Sequence, residues 1–258
     1  MRRPLVMMLA LAGMLFGVPA VASAATADYV ALGDSYSSGL GTRSYYPSSG
    51  TCKRGPQAYP PLYSTAVLFV ACAGASTSEV RAQADAVQSS TNLVTATVGG
   101  NDVGFSSVVT TCTVSSEARC ISAVDGAIRT AQDELPARLD GLLARIEERG
   151  PSAQIVVLGY PHLFEESTIC LGLPSLVKRK KLNAGSDALN AVIKQQVEAA
   201  GATFVDVRGA FSGHGICSRS PWINAVTLPA SESYHPNATG QANGYLPALR
   251  AAVSAVAA

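Results

Sequence analysis

Five short apolar runs divide this chain and are separated by longer, more polar segments. The runs cover residues 28–32, 68–71, 93–98, 155–158 and 203–206. Apolar runs of this length, bounded by small or polar residues, are typical of buried strands. Because parallel strands are joined most easily through a helix, strands that alternate with helical segments predict a five-stranded parallel sheet covered on both faces.

The helical segments are indicated by apolar residues at three- and four-residue spacing. In the clearest one, 122–149, leucine and isoleucine recur on one face, Pro136 predicts a kink or break, and Gly150 ends the helix. The other predicted helices cover 77–87, 177–200 and 235–256, the last with Pro236 in its first turn. The basic run 178–181 is interpreted as a solvated helix face.

A long polar segment, 37–61, separates the first two predicted strands and is rich in glycine and proline. Loops of this length in compact domains are usually functional. Tyrosines at 45, 46, 59 and 63 give the segment an aromatic surface. Two interpretations stay open, because this surface either lines a substrate entrance or packs over the core.

The first 24 residues predict a secretory signal peptide. Arg2 and Arg3 precede an apolar run over 5–18, and Ala22-Ser23-Ala24 has the small-x-small form of a cleavage site. The apolar run is shorter than the roughly 20 residues that a membrane span needs. We therefore expect a secreted, soluble chain without a membrane span, in which residues 25–258 form a single domain.

Charge excludes one class of partner. Without Arg2 and Arg3, 17 of the 19 Lys and Arg residues remain against 18 Asp and Glu. A chain whose net charge is so close to zero has no overall positive electrostatic potential that would attract nucleic acid or an anionic membrane. We expect no nucleic-acid partner.

All six cysteines lie beyond the predicted signal peptide, and an even number in an exported chain indicates three disulfides. Fifteen pairings are possible. The sequential set, Cys52–Cys72, Cys112–Cys120 and Cys170–Cys217, closes each loop without threading another and is preferred. A metal site is not expected, because there is no Cys-x-x-Cys and none of the three histidines lies at ligand spacing.

The residues that are candidates for catalysis lie just after the predicted strands. Gly33-Asp34-Ser35 comes directly after the first strand, and Gly74, Asn101 and His235 also lie just beyond strands or loops at the same edge. Ligands of parallel sheets bind outside the carboxyl ends of the strands. Although Gly-Asp-Ser alone is by default an ordinary turn, the shared placement predicts a nucleophilic Ser35.

A serine nucleophile needs a base and oxyanion donors. Among His162, His214 and His235, the last is preferred as the base because Pro236 and the following helix fix its backbone. The expected oxyanion donors are the N–H groups of Ser35 and Gly74 and the side-chain amide of Asn101. For Gly74 a tight turn without a chemical role remains an equal alternative.

Four short motifs resemble those of the SGNH, or GDSL, hydrolases and occur in the same order. They are Gly33-Asp34-Ser35-Tyr36, Gly74, Gly100-Asn101-Asp102 and Ser233-Tyr234-His235-Pro236. The resemblance covers nearly all of 25–258 and implies a three-layer α/β/α sandwich with a flavodoxin-like sheet, and a serine ester hydrolase that needs no cofactor. The signal peptide and six cysteines resemble the secreted actinobacterial branch of esterases, lipases and phospholipases.

One position departs from the family pattern. The family commonly has aspartate three residues before the histidine, where this chain has Glu232. Either the Glu232 carboxylate or the main-chain carbonyl of Ser233 is expected to orient His235. We favour the carbonyl, because a glutamate on a loop tip is more often solvated than buried.

The predicted function is a secreted, monomeric serine esterase or lipase that acts on small-molecule or lipid esters through an acyl-enzyme. Two alternatives stay open, because a fold does not decide a substrate. One is a carbohydrate O-deacetylase with the same fold. The other is a catalytically silent secreted binding protein.

Overall fold

The computed structural model describes residues 27–166, 170 and 174–256. The predicted signal peptide, residues 1–24, and its cleavage site lie outside this range. Five parallel strands form one sheet, in the order β2-β1-β3-β4-β5. The strands are β1 Tyr29–Ala31, β2 Leu68–Phe69, β3 Leu93–Ala96, β4 Gln154–Leu158 and β5 Thr203–Val205. The predicted α/β class and its five-stranded parallel sheet are confirmed.

The order of the strands places the site. The chain runs outward from β1 to β2 on one side, then returns past β1 to β3, β4 and β5 on the other. The order therefore reverses between β1 and β3, where Val30 pairs with Val94. In parallel sheets the crevice beyond this reversal point is where ligands bind.

Nine α-helices surround the sheet in the described residues. They are α1 Ser35–Ser38, α2 Tyr59–Tyr63, α3 Thr77–Gln83, α4 Phe105–Val114, α5 Glu117–Asp133, α6 Leu135–Arg149, α7 Leu176–Ala199, α8 Ala238–Gly240 and α9 Leu246–Val256. A π-helical turn, Gln241–Tyr245, joins α8 to α9. Helices α3, α6 and α7 adjoin one another in that order, whereas α9 packs against β4 and β5 and is joined by α2. No described helix is long and apolar enough to cross a membrane.

Two predicted helices have different bounds in the structure. The segment predicted as 122–149 forms two helices, α5 and α6, that meet at Glu134. Pro136 lies in the first turn of α6, where its missing N–H leaves no acceptor unpaired. The last helical segment begins at Ala238 and not at His235, because the side chain of Asn237 accepts a hydrogen bond from the Gly240 N–H and so caps it.

The basic run on α7 was interpreted from the sequence as a solvated helix face, but it is only partly solvated. Arg179 is buried, and its guanidinium donates to the carbonyl oxygens of Pro174 and Glu165 at 3.1 and 2.9 Å. A buried guanidinium is stable only when its donors find acceptors. Arg179 thereby fastens the start of α7 to the segment that follows β4.

The six cysteines form three disulfides in sequential order. Cys52–Cys72 ties the segment after α1 to the end of β2, Cys112–Cys120 joins α4 to α5, and Cys170–Cys217 links the segments that follow β4 and β5. All three bridges lie in connections at the edge of the sheet where the strands end. Such bridges limit how far those connections can move apart in the unfolded chain.

Candidate active site

Ser35 begins helix α1 directly after the first strand. Gly33 has a φ of +122°, and a Cβ there would lie 2.7 Å from the carbonyl oxygen of Thr97, so only glycine fits. The Asp34 carboxylate then accepts a hydrogen bond from the Tyr36 N–H at 2.9 Å and caps α1. This turn holds Ser35, which is 7% exposed, at the carboxyl end of β1.

His235 lies against Ser35 although 200 residues separate them. Its Nε2 is 2.8 Å from the Ser35 Oγ. Next to this pair, the Tyr36 hydroxyl donates to the Tyr234 carbonyl at 2.7 Å, so residues adjacent to the serine and to the histidine are also bonded. The ring of Phe105 lies 6.1 Å from the imidazole and edge-on to it.

The other ring nitrogen of His235 faces the main chain. Nδ1 lies 2.9 Å from the Ser233 carbonyl oxygen. Since a carbonyl can only accept, Nδ1 carries the proton and Nε2 is left as an acceptor for the serine hydroxyl. Burial lowers the pKa of His235 to about 4, against the opposing effect of the Ser233 carbonyl. The imidazole is therefore neutral near pH 7 and can take a proton.

Glu232 is buried, contrary to the expectation that it is solvated. It is 4% exposed, and its carboxylate accepts a hydrogen bond from the Tyr45 hydroxyl at 2.7 Å. The Arg43 Nε approaches the second carboxylate oxygen at 3.4 Å. None of its hydrogen bonds within the described residues reaches His235. Burial and the bond to Glu232 raise the pKa of Tyr45 to about 12.

Gly74 and Asn101 lie in two turns that are bonded together. Gly74 has a φ of +86°, and a Cβ there would have no atom within 4 Å. Glycine is therefore required by the backbone conformation and not by lack of space. Asn101 donates one amide hydrogen to the Ala75 carbonyl at 2.9 Å and keeps a second one free to donate elsewhere. The Cys72 N–H donates to the Gly33 carbonyl at 2.9 Å, which attaches the Gly74 turn to the serine turn.

Asp102 strengthens the link between these turns. Its carboxylate accepts from the N–H and the hydroxyl of Thr77 at 2.9 and 2.7 Å. Arg138 lies against the same carboxylate at 3.3 Å. Thr77 starts helix α3 only three residues after Gly74, so Asp102 fixes the distance between the ends of β2 and β3.

A buried network around Asp34 was not predicted from the sequence. Besides Tyr36, its carboxylate accepts from the Thr97 hydroxyl at 2.6 Å and from the Tyr160 hydroxyl. Tyr160 in turn accepts from the Gly100 N–H at 3.1 Å. Burial raises the pKa of Asp34 to about 6, although the hydrogen bonds oppose this shift. The only sequence signal for the network was the position of Asp34 and Tyr160 at strand ends.

An apolar cavity lies beside Tyr36, whose ring centroid is 5.2 Å from that of His235. Tyr36, Gly100 and Phe105 form its wall nearest Ser35, and it continues between α4, α5 and α7. About 620 Å³ of space free of protein atoms lies among its lining residues, open solvent included. Its deeper wall is made of aliphatic side chains, among them Val124, Ile128, Leu182 and Leu189. This cavity was not foreseen, because three separate helices supply its lining.

The other two histidines lie elsewhere. His162 is paired with Asp187 at 2.6 Å on the surface. His214 stacks on Trp222, with ring centroids 3.6 Å apart. In the described residues no group of three or more His, Cys, Asp or Glu side chains is arranged to hold a metal ion.

Comparison with known proteins gives concordant results. The model of the GDSL-like lipase/acylhydrolase family matches residues 31–242. Lipase 1 of Streptomyces coelicolor is 47% identical over 236 residues, which are 89% of this chain and 88% of that protein. The crystal structure of an extracellular lipase from Streptomyces rimosus matches with a TM-score of 0.85 at 46% identity, over 88% of this chain and all of that one. Phospholipase A1 from Streptomyces albidoflavus matches with the same TM-score and coverage at 44% identity.

Proposed function

This chain belongs to the GDSL-like lipase/acylhydrolase family and is a carboxylic ester hydrolase, and from that premise we propose that it is a secreted lipase with Ser35 as nucleophile and His235 as base. The observation that carries the proposal is the 2.8 Å contact between Ser35 Oγ and His235 Nε2, next to the apolar cavity that Tyr36 lines. We propose further that 25–258 act as one catalytic domain, as a monomer and without a cofactor.

The reaction would begin when Ser35 Oγ attacks the ester carbonyl carbon while His235 Nε2 takes the hydroxyl proton. The carbonyl electron pair moves to oxygen and gives a tetrahedral oxyanion. As that intermediate collapses, His235 returns the proton to the leaving alcohol, and Ser35 keeps the acyl group. Water, deprotonated by the same imidazole, then releases the fatty acid and restores the serine.

The oxyanion would be stabilised by the N–H groups of Ser35 and Gly74 and by the free amide hydrogen of Asn101. The bonded turns around Gly74 and Asn101 support this role, because donors that are fixed before the reaction need no reorganisation when charge develops.

We assign the orientation of His235 to the Ser233 carbonyl, at 2.9 Å from Nδ1. The Glu232 carboxylate instead accepts a hydrogen bond from Tyr45 through one oxygen, and its other oxygen faces Arg43 at 3.4 Å. A neutral carbonyl fixes the same tautomer as a carboxylate would, and so keeps Nε2 available as the acceptor.

The acyl chain of the substrate would occupy the apolar cavity. Each buried methylene group contributes about 0.8 kcal/mol, so a long chain gains much more there than an acetyl group. This favours lipid esters over the acetyl groups of a carbohydrate, and it agrees with the lipase and phospholipase A1 activities of the relatives.

A fluorophosphonate probe and a chain-length series test this proposal. We expect covalent labelling at Ser35 and a kcat/KM that rises by about threefold to fourfold for each methylene group added beyond acetyl, until the cavity is full. Ala127→Phe, which fills the cavity, should shift the preference to short chains. Ala118→Phe, at an exposed position on the same helix, is the matched control. Preference for acetyl esters in the wild type would contradict the lipid assignment.

Secretion has a separate test. The protein recovered from the culture medium should begin near Ala25 when its N-terminus is sequenced. An extracellular protein that retains Arg2 and Arg3 would contradict a cleaved signal peptide.

A further inference from the structure

In the described part of the chain, few large hydrophobic side chains remain exposed. Leu228 is 85% exposed and Val114 is 75% exposed. The others are Tyr46, Val177 and Val226. An exposed leucine is unremarkable by itself, but hydrogen bonds connect the segments that carry these five side chains, directly or through one another, to the loop that carries His235.

Val226 and Leu228 lie on the loop 223–236, here called the histidine loop, whose two ends are bonded to each other at His235. The Asn224 N–H donates to the His235 carbonyl at 2.9 Å, and Ile223 pairs with Pro236 in an antiparallel bridge. The loop between these pairs therefore leaves and rejoins the molecule at the active site. Its most exposed apolar side chain, Leu228, lies near its midpoint.

Tyr46 and Val114 lie on segments bonded to the same loop. The Tyr45 hydroxyl donates to Glu232 at 2.7 Å. On the other side of His235, the Thr113 hydroxyl lies 2.5 Å from the Tyr234 hydroxyl. Each contact therefore connects the segment that carries Tyr46 or Val114 to the histidine loop.

Val177 is connected to the histidine loop only indirectly, through helix α4. Lys178 Nζ donates to the Ser115 carbonyl, which brings the first turn of α7 to the end of α4. We call the surface formed by Tyr46, Val114, Val177, Val226 and Leu228 the docking face.

Cations accompany the docking face. Arg43, with a side chain 61% exposed, donates to the Thr227 hydroxyl at 2.6 Å. Lys53 Nζ lies 5.5 Å from the centre of the Tyr45 ring, and Lys178 adjoins Val177. On the same segments Glu232 is buried and Glu117 is exposed. The three cations named here are partly balanced by these two carboxylates, one of which is paired with Arg43, so the local charge is weakly positive while the whole chain is close to neutral.

We propose that the docking face binds an anionic phospholipid surface, with Leu228 and Val226 entering the boundary between headgroups and acyl chains. Exposed apolar side chains combined with cations are the features that hold proteins at such a boundary. Because the loop that carries Val226 and Leu228 ends at His235, a membrane held there would lie close to the active site, and an acyl chain would have a short path to the apolar cavity. This inference rests on the proposed lipid substrate.

Binding to vesicles of ether-linked phospholipids tests the inference, since these lipids contain no ester for the enzyme to consume. We expect the wild type to float with vesicles of equal parts diether phosphatidylglycerol and diether phosphatidylcholine. Leu228→Ser and Val226→Ser should each lower the partition coefficient by about tenfold, and Leu228→Met should preserve it. On a dissolved butyrate ester all three variants should keep kcat/KM within about twofold of the wild type.

The electrostatic part has a matched pair of variants. Lys53→Gln should weaken binding to the anionic vesicles by about fivefold and leave binding to purely zwitterionic vesicles unchanged. Lys194→Gln removes an exposed cation that pairs with Glu198 near the opposite end of α7, and it should change neither.

Several results would overturn the inference. If the wild type does not bind the vesicles, it has no lipid-docking face of this kind. The same holds if sedimentation shows a dimer that buries the docking face. The same conclusion follows if Leu228→Ser and Val226→Ser hydrolyse the dissolved ester and bind vesicles as tightly as the wild type. If the loop variants fail to fold, Val114→Ser on α4 makes the same test. Failure of the proposed function would look different, because dissolved esters and the fluorophosphonate would then not react.

Discussion

Two segments meet at the catalytic pair, and each contains a buried carboxylate that is used differently. In the nucleophile turn, 33–38, Asp34 directly precedes Ser35, and its carboxylate accepts from the main chain, Thr97 and Tyr160. In the histidine loop, 223–236, Glu232 lies three residues before His235, yet its carboxylate binds Tyr45 on a distant loop. The acid in one segment supports the strand ends, whereas the acid in the other fastens a surface loop.

The backbone of the histidine loop brings a carbonyl oxygen, and not a carboxylate, to the imidazole. Tyr234 has a φ of +64°, in the left-handed region that residues with a side chain seldom adopt. This conformation turns the Ser233 carbonyl back onto His235. Two hydrogen bonds maintain it, one from the Tyr36 hydroxyl to the Tyr234 carbonyl and one between the hydroxyls of Tyr234 and Thr113. Strained backbone held by its surroundings is typical of functional sites. A carboxylate near a histidine in sequence is therefore not sufficient to identify the orienting group.

Removing either half of the pair should have the largest effect. Ser35→Ala and His235→Ala should each lower kcat for ester hydrolysis by about 10⁶-fold, because the two groups act as a unit. The double variant should lose little more than either single one. Circular dichroism should show an intact fold in all three. Near-normal turnover in any of them would contradict the serine mechanism.

Asn101→Ala comes next. Loss of one oxyanion donor should reduce kcat by roughly 10²–10³-fold and change KM little. Asn92→Ala, at an exposed position just before β3, is the matched control and should be neutral. If only KM rises, Asn101 binds the substrate in its ground state and is not an oxyanion donor.

Asp34→Asn should have a smaller effect on turnover, about 10- to 100-fold, because the substitution disturbs the hydrogen bonds that fix the Ser35 turn. Protonation of Asp34 should mimic it. As pH falls, the wild-type kcat/KM should decline first near pH 6, where Asp34 gains a proton, and again near pH 4, where His235 becomes charged. The decline near pH 6 should be absent in Asp34→Asn and present in Glu232→Gln. A single decline at the ordinary histidine pKa of about 6.5 would contradict both assignments.

Glu232→Gln should have the smallest effect, a loss of less than about tenfold in kcat between pH 6 and 9, because the Ser233 carbonyl survives the substitution. Tyr45→Phe removes the partner of that carboxylate and should give a similarly small loss. A loss near 10⁴-fold in Glu232→Gln, the size seen when a triad acid is removed, would instead make Glu232 the orienting group.

Local signals made the sheet predictable. Each strand is a contiguous apolar run, and both faces of a parallel sheet are covered, so the five runs stood out without knowledge of their neighbours. Helix α4 was missed because it is short, rich in serine and threonine, and begins after Gly104, which has a φ of +73° and no capping side chain. Its sequence carries neither a start signal nor a clear apolar face.

The candidate site was predictable only in part, because some of its contacts join residues that are far apart in the sequence. Ser35, Asn101 and His235 follow predicted strands or precede a helix, so topology alone brings them to one edge. The burial of Glu232 depends on Tyr45, which is 187 residues away in sequence. The Asp34 network likewise depends on Tyr160, 126 residues away. Contacts of this kind have no local pattern that could reveal them.

The bonds that join the two ends of the chain also bear on how activity arises during folding. Gln241 accepts from the Tyr59 N–H and donates to the Tyr36 carbonyl, across 182 and 205 residues. Closing such long loops costs entropy before any contact repays it, and contacts this distant in sequence slow folding. A chain still lacking residues 235–258 would hold the serine turn without His235 and without the bonds of Gln241. Hydrolytic activity should therefore emerge in a single late step, together with the docking of the C-terminal helix.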